Sequence, residues 1–287
     1  MESDQTLESA ELMSKERELI IDGRLINDDE DCYVIAEIGH NHKGDVEICK
    51  DLFKQAKECG ADAVKLQKRH NQTYFTQAMY NEPYSNPNSY GETYGEHREF
   101  LEFGRDEYLE LMKTAKELGI TFFATAFDYN SADFLMELDM PAFKIASGDI
   151  LNTPLSKYVA SMKRPIVIST GGANMEDVVR AYEVLKEQDA NFAILQCTSA
   201  YPADASDLNL SVISAYREKF KDTVIGFSGH ESGIAMPLVA YVLGARIVEK
   251  HFTLNRAWKG TDHPFSLEPT GMRKMVRDLK RAREAVG

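Results

Sequence analysis

The chain has 287 residues, 43% hydrophobic and 28% charged, an ordinary globular balance that rules out wholesale disorder. Its 33 Lys and Arg stand against 46 Asp and Glu, for a formal net charge of −13, which argues against nucleic acid or an anionic membrane surface as partner. A small anionic ligand stays open, because a few inward-facing lysines make one site positive inside an acidic protein. The cysteines Cys32, Cys49, Cys59 and Cys197 have no CxxC spacing. Neither a zinc knuckle nor a disulfide framework is expected, and reduced thiols in a cytoplasmic protein are the simpler reading. The start, MESDQTLESAELMSKEREL, is too polar and acidic for a signal peptide. The longest nearly apolar run, Ile234–Ala245, contains Pro237 and is too short to span a bilayer.

Residues 1–18 read as a polar N-terminal segment. LIIDGRLI followed by DDEDCYVI then reads as a short β-hairpin that plugs the bottom of the fold. From residue 33 onward, eight short apolar runs recur, at 33–39, 63–68, 121–127, 142–148, 165–171, 191–198, 223–229 and 246–253. Each precedes a helix-period segment, and Gly60, Gly119 and Gly244 stand where helices should end. Strands alternating with helices predict a parallel sheet. Eight such units over residues 19–287 fit a closed (β/α)₈ TIM barrel better than an open sheet, and no GxGxxG follows the first strand. The connection Arg69–Arg105 is unusually long. It is expected on the C-terminal face of the barrel, either functional or carrying small elements of its own.

The predicted strand ends are polar in a way a purely structural barrel does not require. The first ends in Glu37 and runs into His40, Asn41 and His42; the second carries Lys65 and Gln67 on one face. The third carries Thr125, and the fourth carries Lys144, then Ser147 and Asp149. The fifth ends in Ser169, Thr170 and two glycines, and the sixth runs through Cys197 and Ser199 to Tyr201. The seventh ends in Ser228 and His230, and the eighth carries Glu249 and His251. Polar groups from many strands, gathered at one end, predict a shared cavity. His230 and His251 end neighbouring strands, where two imidazoles either share a divalent metal or each satisfy a core hydrogen bond. Inward Lys65 and Lys144 call for an anion, for structural partners among Glu37, Asp149 and Glu249, or for Schiff-base chemistry.

Taken together, AEIGHNHKGD, VKLQK, FKIASGD, QCTSAYP, GFSGHESG and EKHFTLNRAWKGTDHPFSLEP resemble the sialic acid synthase family over about residues 20–287. TYGEH, QCTSAYP and SGHESGI are most similar to the animal-type members. The resemblance implies a TIM barrel that condenses phosphoenolpyruvate with an N-acylmannosamine, or its 6-phosphate, with a divalent ion: Mn²⁺ first, Mg²⁺ or Co²⁺ as alternates. Matched by motif, it implies His230 and His251 as metal ligands. Lys65, Thr125, Lys144, Ser147 and Ser228 match positions that hold phosphoenolpyruvate. Glu37, Gln67 and Tyr201 match positions near the amino sugar. Asp149 stands where many members have Glu, and Ser199 where many have Asn, so Glu37 and Asp149 both stand as candidate general bases. Family members usually continue into an antifreeze-like domain that donates an arginine across a homodimer. This sequence ends at Gly287, so that domain is expected to be absent or supplied in trans to a homodimer. An arginine of the chain itself, Arg69 or Arg256, is the alternative source. A Schiff-base pyruvate aldolase and a non-catalytic sugar-binding barrel remain the rival readings.

Overall fold

The structure is a computed structural model that describes residues 17–286. Nearly all of the predicted polar N-terminal segment therefore lies outside the described residues. The hairpin is present, but both its strands, β1 (Leu19–Ile21) and β2 (Arg24–Ile26), come from LIIDGRLI. Asp22 and Gly23 both take positive φ, 50° and 77°, as the turn of a two-residue hairpin requires. DDEDCYVI contributes no hairpin strand and leads into the barrel.

Eight parallel strands then close on themselves: β3 (Tyr33–Gly39), β4 (Ala63–Lys68), β5 (Thr121–Ala126), β6 (Phe143–Ile145), β7 (Ile166–Ser169), β8 (Phe192–Cys197), β9 (Val224–Gly229) and β10 (Ile247–His251). β10 pairs with both β9 and β3, completing the ring. Eight helices follow them around the outside: α1 (Val46–Glu58), α5 (Arg105–Leu118), α6 (Tyr129–Glu137), α7 (Thr153–Ser161), α8 (Met175–Glu187), α9 (Val212–Lys219), α10 (Ala235–Val242) and α11 (Pro269–Val286). The long connection after β4 holds the short helices α2 (Asn71–Tyr74), α3 (Gln77–Tyr80) and α4 (Tyr94–Leu101). α1 shows how the outer layer forms. Asp45 caps it by accepting from the amides of Glu47 and Ile48, and Cys49, Leu52, Phe53 and Ala56 form the buried stripe.

Strand alternation sorts each inward face into layers. Toward the N-terminal end, Tyr33, Ile35, Ala63, Phe123, Ala193, Leu195, Val224 and Ile247 fill the interior, and Leu19, Ile21 and Ile26 of the hairpin pack beneath them. The opposite strand faces, such as Val34, Ala36 and Ile38, meet the helices. Further along six of the strands, the inward positions become polar: Glu37, Lys65, Thr125, Lys144, Ser228 and Glu249, all buried. The barrel is thus plugged and apolar at one end and charged at the other.

Candidate active site

At the C-terminal ends of the strands lies a cavity of about 710 Å³. Glu37, Lys65, Gln67, Thr125, Lys144, Ser147, Ser199, Tyr201, Ser228, His230 and His251 line it. Strand register explains the gathering: Glu37 sits opposite Lys65, Thr125 opposite Lys144, Glu249 opposite Ser228, and His251 opposite Glu37. A larger cleft of about 850 Å³ opens at the hairpin end. It holds none of these residues.

Asp149 is the exception among the predicted site residues, because it does not line the cavity. The fourth strand is shorter than its apolar run suggests. β6 stops at Ile145, and Ser147–Asp149 wind into a 3₁₀ turn. That turn brings Ser147 to the cavity, where its Oγ accepts from the Gly171 amide at 2.9 Å, and leaves Asp149 off the lining. Burial pushes the Asp149 carboxyl up to about 6, with nearby Arg69 only partly offsetting the effect.

Lys65 is held on three sides. Its Nζ donates to Thr125 Oγ1 at 3.0 Å, lies 2.6 Å from Glu37 Oε2 and sits 3.7 Å from Glu249 Oε1. The Glu37 contact is close but not aligned as a directed hydrogen bond. Gln67 Nε2 donates to the other Glu37 oxygen at 2.8 Å, which fixes the carboxylate. Gly39, directly above, has φ 53°, and a Cβ there would stand 3.2 Å from both that Gln67 nitrogen and Glu37 Oε1. The β3 bulge at Glu37 and Gly39 therefore suits glycine twice over.

Glu249 is opposed by burial, yet Lys65 and Lys144 outweigh it and hold the carboxyl below its ordinary range. Lys144 donates only to the Ile145 carbonyl, at 3.0 Å. Burial first, and Lys65 as a like charge, lower its pKa. Its ammonium is the least compensated cation of the inner cavity.

The imidazoles of His230 and His251 have ring centroids 5.4 Å apart. His230 Nδ1 meets the Thr198 carbonyl at 2.8 Å. A carbonyl only accepts, so Nδ1 carries the proton and Nε2 keeps a lone pair. Burial and the neighbouring His251 lower the His230 pKa to about 3, so the ring is neutral at ordinary pH. His251 Nδ1 is buried with no hydrogen-bond partner, and Asp262 Oδ2 stands off at 3.7 Å. A lone-pair nitrogen beside an orphaned one suits a borderline divalent ion. Among the described residues, no cluster of three or more His, Cys, Asp or Glu side chains forms a fuller metal cage. Substrate and water oxygens would have to complete the coordination. Tyr201, followed by a cis bond to Pro202, packs on His230 with centroids 4.1 Å apart.

The rest of the polar motifs divide between scaffold and cavity. Asn41 Nδ2 donates to the Phe252 carbonyl at 2.8 Å and to Ser266 Oγ at 3.0 Å, tying the exit of β3 to the exit of β10. His42 stacks on Phe103, and Trp258 packs against His263 beneath the Lys43 ammonium. Lys250 faces away from the barrel interior and pairs with buried Glu231 at 2.8 Å, fixing the loop that carries His230. All four cysteines are buried and unpaired. The cavity also takes in His40 from the end of the first strand and Arg69, the candidate arginine after the second, together with Arg98 and Asp262, which no strand-end pattern singles out. Arg98 belongs to α4, so only a long connection folding back over the mouth brings it there. Arg256 is elsewhere, its guanidinium on the Pro264 carbonyl.

A closed parallel barrel with a charged cavity at the C-terminal strand ends is the architecture of a barrel enzyme. The chain belongs to the NeuB family, whose model matches residues 52–287. It is 44% identical over 265 residues to the N-acetylneuraminate-9-phosphate synthase of Homo sapiens, covering 92% of this chain and 74% of that protein. It is 36% identical over 262 residues to the N,N'-diacetyllegionaminic acid synthase of Legionella pneumophila, covering 89% and 73%. The crystal structure of an N-acetylneuraminic acid (sialic acid) synthetase from Leptospira borgpetersenii, in complex with citrate, superposes with a TM-score of 0.85 at 31% identity, covering 96% and 92%. These relatives set the chain among the sialic acid-type synthases. No helix among the described residues is long and apolar enough to cross a membrane.

Proposed function

We propose that this chain joins phosphoenolpyruvate to an N-acylmannosamine, or its 6-phosphate, giving a nine-carbon 2-keto acid sugar or its 9-phosphate, plus inorganic phosphate. The observation that carries this reading is one cavity holding two buried lysines, Lys65 and Lys144, beside an imidazole pair. Lys65 and Lys144, with hydroxyl donors from Thr125, Ser147 and Ser228, hold the carboxylate and phosphate of phosphoenolpyruvate. Gln67, Ser199 and Tyr201 face the amino sugar. A divalent ion, Mn²⁺ first and Mg²⁺ or Co²⁺ as alternates, supplies Lewis-acid polarisation of the sugar aldehyde when held by His230 and His251. Fixing both substrates brings C3 of phosphoenolpyruvate within attack distance of the aldehyde carbon. The enol π pair forms the new C–C bond, leaving an oxocarbenium at C2 and an alkoxide oxygen that becomes a hydroxyl with the proton Glu37 next receives from water. Water adds at C2 and gives its proton to Glu37, which lines the cavity as Asp149 does not. The tetrahedral C2 then breaks its bond to the phosphate oxygen, its hydroxyl proton leaves with the expelled phosphate, and C2 becomes the ketone.

The test is phosphate release with phosphoenolpyruvate, Mn²⁺ and a panel of N-acylhexosamines with and without 6-phosphate. Release should need both substrates and vanish with EDTA. One observation favours a second reading: Lys144 is a buried amine of lowered pKa, as a Schiff-base lysine needs. Borohydride trapping of pyruvate on a lysine, undiminished by EDTA, would establish that aldolase and displace the synthase.

A further inference from the structure

The inner cavity accounts for Lys65 and Lys144, but the cavity also has a cationic rim on the β3–β5 side. Arg69 follows β4 and stacks its guanidinium on Phe127, 3.5 Å from the ring centroid. It is 7% exposed, and its Nη1 is buried with no hydrogen-bond partner. Arg98 of α4 reaches the same place from the long connection. Its Nε donates to Tyr94 Oη at 3.0 Å and its Nη1 lies 3.3 Å from His40 Nδ1. A guanidinium only donates, so His40 Nδ1 accepts and the ring proton sits on Nε2. That Nε2 is also buried without a partner. No carboxylate oxygen among the described residues pairs with either guanidinium. Glu102 and Asp149 are the acids whose charge reaches Arg69, yet neither forms an ion pair with it; Glu102 is engaged by the Lys68 ammonium at 2.8 Å and by the Arg69 amide rather than its side chain.

Three donor groups therefore converge on one wall of the cavity, two of them with buried hydrogens and nothing to receive them. Leaving such donors unmet is unfavourable, and an uncharged hydroxyl would neutralise neither guanidinium. A group with several acceptor oxygens and more than one negative charge meets all three at once, and a phosphate monoester has that form.

We infer that His40, Arg69 and Arg98 form a second anion seat, distinct from the lysine pair, that receives the terminal phosphate of the acceptor sugar. This rests on the synthase reading, and it resolves which acceptor that reading takes: a hexosamine 6-phosphate rather than the free hexosamine. The lysines take phosphoenolpyruvate, and the arginine wall takes the far end of the second substrate.

The test is calorimetric binding of N-acetylmannosamine 6-phosphate, free N-acetylmannosamine and phosphoenolpyruvate to the full chain and to Arg69→Gln and Arg98→Gln. Removing either guanidinium, and with it a charge-assisted hydrogen bond, should weaken sugar-phosphate binding about tenfold or more. The effects on free sugar and on phosphoenolpyruvate should be clearly smaller. Arg69→Lys should recover part of the affinity, which a merely structural Arg69 would not predict. The seat is overturned if the wild-type chain binds both sugars equally, or if either Gln variant keeps full affinity for the phosphorylated sugar. It is overturned equally if phosphoenolpyruvate binding is the more weakened. Binding needs no turnover, so an absence of phosphate release would count against the synthase reading while the seat is still read.

Discussion

Two carboxylates that the sequence ranks together differ sharply in place. Glu37 lines the cavity and touches Lys65 and Gln67, whereas Asp149 is not among the lining residues. Glu37→Gln should therefore lower kcat about a hundredfold or more, the scale of a lost general base, with Asp149→Asn much milder. Comparable losses in steady-state assays would reverse the assignment. Asp149 has a separate effect on stability. Its folded pKa of about 6 lies above the ordinary 3.8, so between those values the folded chain keeps a proton that the unfolded chain releases. Stability falls as pH rises through that window and stays lowered above it. Asp149→Asn removes the penalty and should stabilise the protein at pH 8 on the order of 1–3 kcal/mol. The gain should shrink by pH 5. A melting curve showing an equal gain at both pH values would mean that packing, not charge, explains it.

The elements show why some of the site was legible and some was not. Period-two alternation suffices to put Lys65 with Gln67, and Glu249 with His251, on one face, and β4 and β10 keep that alternation to their ends. It misleads where an apolar run outlasts its strand, as at β6, where the backbone leaves the ladder after Ile145. It is silent on Arg98, whose approach depends on how the connection through α2, α3 and α4 folds. Tyr90 Oη donating to the Lys259 carbonyl at 2.7 Å helps pin that connection to the loop after β10, a long-range contact with no local sequence signature. The Lys250–Glu231 pair is equally illegible, since Lys250 sits on the face that local pattern gives to apolar packing. Lys250→Met leaves the buried Glu231 carboxylate uncompensated and should cost about 3–5 kcal/mol. Replacing both, as Lys250→Met with Glu231→Leu, should recover most of it in urea denaturation. A single variant as stable as wild type would show that the pair contributes nothing.

At the scale of the whole molecule, the barrel separates what holds it together from what it does. Ile21 is fully buried under Phe123, Leu195 and their neighbours, while Ile20, one residue away on the other face of the hairpin, is half exposed. The plug thus has one apolar face, set by strand alternation, and the apolar layer above it separates that face from Glu37 and Lys65. Ile21→Ala removes buried methylenes and opens a cavity at the barrel floor, which should cost about 2–5 kcal/mol. The charged layer is positioned by strand register and by the loops at the opposite end, so the substrate KM values should stay close to wild type well below the melting temperature. Urea denaturation and steady-state kinetics on the same variant decide the matter. A large rise in KM with little loss of stability would show that the floor of the barrel reaches the site, and that the separation of the two ends is wrong.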